Sequence, residues 1–164
     1  MKKTKILAGL LIAHVLNSCS LLPDTLPDET QSGKNTFGCL INGKVFTTTE
    51  MSGNFYGNNF TLRTIKDGSG VQFYIENLTQ DVLGTYAITK VRNLLYTDGK
   101  CTRGEVNPPI KAFVTITKYE RGEDKANNLR WLIISGTFEG ILLPEGRYTD
   151  TIKITQGRFD VKFQ

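Results

Sequence analysis

Val71, Phe73 and Ile75 alternate with Gln72, Tyr74 and Glu76, and Ile110, Ala112, Val114 and Ile116 alternate with Lys111, Phe113, Thr115 and Thr117. A period of two turns one set toward a core and the other toward solvent, which is the pattern of a half-buried β-strand. Phe37, Cys39 and Ile41 keep the same rhythm and run into Asn42-Gly43, the strongest short hairpin signal. A two-residue type I′ turn there places Cys39 opposite Phe46 and turns Cys39 toward the core. Phe60 and Leu62 lead into the turn Asp67-Gly68-Ser69-Gly70, and Gly84-Thr85-Tyr86 opens a short run through Ile88. The stretch Val91 to Tyr96 reads equally as strand or as one helical turn. No stretch sustains a 3.6-residue stripe, so little helix is expected. These signals predict an all-β fold, a single antiparallel β-sandwich domain of about eight or nine strands. The alternative is an up-and-down, lipocalin-like β-barrel, since successive hairpins also close a meander.

The C-terminal third holds a short echo. Ile133 to Gly140 aligns with Ile154 to Val161, and in each an isoleucine and a phenylalanine lie five apart around a glycine. Five is an odd spacing, which puts the two on opposite faces of a regular strand. One extra residue at the glycine restores them to one face, so two bulged strands are expected.

Ahead of the β pattern, Lys2, Lys3 and Lys5 precede an apolar run from Ile6 to Leu16, which ends at Leu16-Asn17-Ser18-Cys19. The run is about half the roughly 20 residues needed to span a bilayer and fits a secretion signal. Leu16 three before the cysteine and Ser18 directly before it match a lipobox, with Asn17 departing from the usual small or apolar residue. Residues 1–18 therefore read as a lipoprotein signal peptide, with Cys19 as the lipidation site. Residues 19–36 read as the lipidated cysteine and a flexible tether rich in Pro, Asp and Ser, spanning on the order of 20–25 Å. Residues 37–164 read as the β domain. The expected location is the outer membrane, held by the lipid, on either its periplasmic or its cell-surface side. Ser20 carries no acidic inner-membrane retention signal.

The signal segment holds three of the 20 basic residues, none of the 16 acids and the sole histidine, His14. The mature chain is left with 17 basic against 16 acidic residues, so its charge gives no case for a nucleic acid partner. Without histidine it lacks Ser–His and Cys–His catalysis and the usual zinc sites. No metal or cofactor is expected. The remaining cysteines, Cys39 and Cys101, form an even pair in an exported chain and are expected to be bridged by a disulfide.

Gly33-Lys34-Asn35-Thr36-Phe37-Gly38-Cys39 and the C-terminal Gly-x-Phe strands, Gly136-Thr137-Phe138 and Gly157-Arg158-Phe159, resemble an uncharacterised family of Bacteroidota cell-envelope lipoproteins. The resemblance implies an envelope β domain and brings no catalytic residues with it. It also implies O-glycosylation at Asp, then Ser or Thr, then an apolar residue. Thr25 in Asp24-Thr25-Leu26 and Thr151 in Asp150-Thr151-Ile152 match.

Candidate chemistry is sparse. Glu123-Asp124, like the basic stretch of Lys90, Arg92, Lys100 and Arg103, reads as solvated surface. Phe55 and Tyr56, in the Gly/Asn-rich run from Gly53 to Asn59, are candidate aromatics for binding a glycan or protein partner. The expected function is a non-enzymatic binding or structural module on the envelope. The alternatives are an apolar-ligand carrier barrel, which needs an enclosed cavity, and a carboxylate-dependent glycan hydrolase, which needs convergent acids.

Overall fold

The structure is a computed structural model that describes residues 25–78, 82–90, 92–100, 102–104, 107–126, 129–146 and 149–164. The described residues form eleven strands and no helix: β1 (Thr36–Ile41), β2 (Lys44–Thr48), β3 (Met51–Tyr56), β4 (Asn59–Thr64), β5 (Ser69–Ile75), β6 (Gly84–Ala87), β7 (Leu94–Asp98), β8 (Thr102–Arg103), β9 (Lys111–Asp124), β10 (Leu129–Leu142) and β11 (Ile152–Phe163). They build two antiparallel sheets, one of six strands in the order β2-β1-β11-β10-β9-β6 and one of five in the order β3-β4-β5-β7-β8. The sheets stack without closing into a barrel, so the sandwich holds. The two strands beyond the expected count are β3, whose Gly- and Asn-rich sequence masks its rhythm, and the two-residue β8, which is too brief to show one.

Local chemistry explains the hairpins. Asn42 and Gly43 both take positive φ, 49° and 80°, as a type I′ turn requires, and the register pairs Cys39 with Phe46. Asp67 and Gly68 repeat the device at 50° and 78°, closed by reciprocal backbone bonds between Lys66 and Ser69. The ambiguous stretch resolves as strand from Leu94, with Val91 outside the described residues.

Five phenylalanines fill the space between the sheets. Phe60 and Phe73 descend from the five-stranded sheet to meet Phe37, Phe138 and Phe159 of the six-stranded one. The Phe37–Phe138, Phe73–Phe159 and Phe73–Phe138 ring centroids are 5.0, 5.3 and 5.4 Å apart. Truncating any of these rings to alanine costs about 3–5 kcal/mol, through lost burial and an unfilled cavity. Val71, Phe73 and Ile75 are all buried, as are Ala112, Val114 and Ile116. Ile110 departs from its alternation and is 63 % exposed, because β9 begins one residue after it.

The C-terminal echo holds in one copy only. In β11, Thr155 and Gln156 together face Glu139, and Gln156 takes a φ of 52°. This bulge brings Ile154 and Phe159 to the core face. β10 runs regularly instead, with Ile134, Gly136 and Phe138 inward, and the irregularity at Ser135/Gly136 is an extra residue in β9. Ile133 therefore points to the outer face, where Gly33 covers it.

That cover belongs to a strap. Residues 25–35 cross the outer face of β1, β11 and β10, so the described part of the expected tether is docked. Pro27 lies directly over Gly38, at a spot that leaves no room for a Cβ there. The strap is pinned by Asp160, which is 1 % exposed and faces outward between the inward Phe159 and Val161. Ser135 Oγ and Thr30 Oγ1 each donate to its carboxylate at 2.6 Å. The backbone N–H groups of Ser32, Gly33 and Lys34 donate at 3.1, 2.8 and 3.1 Å. Gly33, at a φ of 73°, bends the chain so that three successive N–H groups converge on one anion, forming a backbone nest.

Burial pushes the Asp160 pKa up, but the bonds from Ser135, Thr30, Lys34 and Gly33 outweigh it and hold the group at about 2. A folded pKa below the ordinary 3.8 means stability that is fully present above about pH 4 and is lost as the pH falls toward 2. At about 1.4 kcal/mol per pH unit the contribution is about 2 kcal/mol. Asp160→Asn is expected to lower stability at neutral pH by that amount and to flatten the acid limb, as read from denaturant melts across the acid range.

Candidate functional site

The outer face of the six-stranded sheet carries an open groove of about 560 Å³ beside the strap. Its floor follows from register. Arg158 of β11 pairs with Thr137 of β10, Thr137 with Thr115 of β9, and Thr115 with Thr85 of β6. One row across four strands thus presents a guanidinium and three hydroxyls, with the Thr85 and Thr115 Oγ1 atoms 2.9 Å apart. Threonine suits such positions, since its branched Cβ favours the strand and its hydroxyl faces solvent. The next row sets Glu139 against Phe113, whose half-buried ring has Lys111 Nζ 5.9 Å from its centroid. The bulge at Gln156 brings a side-chain amide to the groove.

The strap forms one wall. Arg158 Nη1 donates to the Pro27 carbonyl at 3.1 Å, and its Nη2 lies 3.9 Å from a carboxylate oxygen of Glu29. The groove thus holds two cations, Lys111 and Arg158, and two acids, Glu29 and Glu139, and its formal charge balances. An aromatic face, a row of hydroxyls and balanced charge suit an uncharged, hydroxyl-rich ligand. The signal for this site was present in the alternation, which puts Phe113 on the outward side with Lys111 and Thr115.

The residues singled out from sequence are not gathered there. Cys19 and Cys101 lie outside the described residues. Cys39 is a free thiol with no exposed surface, which corrects the expected bridge with Cys101. Packed with Phe37, Ile41 and Phe46 around it, Cys39 serves as a small apolar core side chain, and burial pushes its pKa up to about 12. Phe55 and Tyr56 point to opposite faces of β3. Phe55 stacks on Phe60 at 5.0 Å and lies 5.5 Å from the Tyr119 ring, whereas Tyr56 stands 82 % exposed at the hairpin tip. Thr25 is exposed at the start of the strap, and Thr151 is half-buried at the entry to β11. Arg103, read as surface, is 3 % exposed and donates to Asp150 Oδ1 at 2.9 Å. Among the described residues, no three His, Cys, Asp or Glu side chains gather as a metal site would require.

Fold and site together define a β-sandwich with a phenylalanine-filled core and a polar, aromatic-floored groove on one outer face. Comparison with family models, curated proteins and solved structures gave no match.

Thiol chemistry checks the core assignment. In the native protein a maleimide is expected to leave Cys39 unlabelled, and denaturant without reductant is expected to expose it to full labelling. Peptide mass spectrometry that finds Cys39 labelled in the native state, or blocked by a disulfide after unfolding, contradicts the free buried thiol.

Proposed function

We propose that this chain is a lipoprotein acylated at Cys19 and held at the outer membrane. Its sandwich acts as a non-enzymatic binding module for a neutral glycan segment. The observation that carries the ligand reading is the row Arg158, Thr137, Thr115 and Thr85 beside the Phe113 ring. Hydroxyls donate to and accept from sugar hydroxyls, while an aromatic face packs against the apolar C–H face of a pyranose. The groove is open along its length, so it takes an internal stretch of a longer chain as well as an end. The lipobox and the resemblance to envelope lipoproteins support the location. The carrier alternative draws no support from an interior filled by Phe37, Phe60, Phe73, Phe138 and Phe159.

Titration of the detergent-solubilised mature lipoprotein with neutral and acidic oligosaccharides tests the reading. Neutral oligosaccharides are expected to bind, and Phe113→Ala to weaken them about tenfold, equivalent to about 1.4 kcal/mol. Unchanged affinity in that variant, or preference for the acidic set, contradicts it.

A further inference from the structure

We infer that the sandwich rests against lipid headgroups by one corner, where β2 passes into β3, and does not swing freely on a tether. The inference rests on acylation of Cys19. The docked strap removes most of the leash, because the chain is bound to the sheet from Pro27 through Lys34. Only six residue steps separate Cys19 from Thr25. Fully extended, they reach about 20 Å.

Where Thr25 lies then decides which surface meets the bilayer. It shares a surface groove with Thr48, Glu50 and Lys66 at the β2–β3 corner and the β4–β5 hairpin. Ile65, 45 % exposed, belongs to the same corner: its N–H donates to the Glu50 carbonyl, and its own carbonyl accepts from Thr48 Oγ1. Exposed Arg63 and Lys66 flank it. An apolar side chain between two long cationic ones fits the headgroup region, where such cations extend toward phosphates while the isoleucine contacts acyl chains. The glycan groove lies elsewhere. Its Phe113 is on β9, four strand steps from β2, or about 19 Å across the sheet.

The test uses the full mature protein on vesicles of phosphatidylethanolamine and phosphatidylglycerol carrying a headgroup energy acceptor. A donor is attached through Lys66→Cys or Ile110→Cys in a Cys101→Ser background, with Cys39 sealed in the core. Transfer from position 66 is expected to be several-fold stronger than from position 110. A flexible insert of about twelve Gly and Ser residues between Pro23 and Asp24 is expected to bring the two together. Equal transfer without the insert, or stronger transfer from 110, overturns the inference while leaving the anchor intact. Protein that fails to float with the vesicles and lacks the acyl mass overturns the anchor and the inference together. Hydrogen exchange on unlabelled protein gives a second reading: slower exchange at Ile65 and Lys66 on vesicles supports the corner, and unchanged exchange there overturns it.

Discussion

A single buried carboxylate organises the outer side of this molecule. Asp160 carries its charge on the face of the sheet turned away from the phenylalanine core, at a position that water reaches only if the strap leaves. A charge sealed in that way is tolerable only when its oxygens are fully bonded, and five donors from two separate parts of the chain, the strap and β10, meet it. Four of the five bonds run across sequence separations of more than a hundred residues, so the carboxylate joins the first described segment to the last strand. From that joint follow the cover over Ile133, the seat of Pro27 on Gly38 and the position of Glu29 against Arg158.

What could be read from the sequence was what is encoded within a few residues. Asn42-Gly43 dictates its own backbone and therefore the partnership of Cys39 with Phe46. The parity of Val71, Phe73 and Ile75 announces which side is inside, and the five-residue spacing of Ile154 and Phe159 reveals the β11 bulge. The same parity argument failed at Ile133 and Ile134, because a covered outer face accepts an isoleucine as readily as the core does. Ser32 and Gly33 have the composition of a loose linker, and that composition is also what lets a backbone wrap an anion. No local rule separates the two outcomes, since the anion lies 128 residues away in sequence. The pair Cys39 and Cys101 misled for a related reason. Cysteine count reports the redox compartment, whereas packing between Phe37 and Ile41 makes Cys39 a core residue in its own right.

The candidate site shows the same division. Each strand contributes outward residues that look like ordinary solvent-facing polarity when taken one at a time. Register gathers Thr85, Thr115, Thr137 and Arg158 into one line, and the strap turns an open sheet face into a groove by adding a wall. The groove and the β2–β3 corner, proposed as ligand surface and membrane contact, both adjoin the strap, which on that proposal links how the domain is held to what it presents. Phe37, Phe60, Phe73, Phe138 and Phe159 fill the space between the sheets, so the outer-face groove is built on a packed core.

The strap's attachment to Asp160 is most directly tested by hydrogen exchange at the amides of Ser32, Gly33 and Lys34. They are expected to exchange slowly in the native protein. In Asp160→Asn they are expected to become fast while Ile134 and Val161 stay protected. Exchange of these three amides at free-chain rates in the unaltered protein would contradict the account.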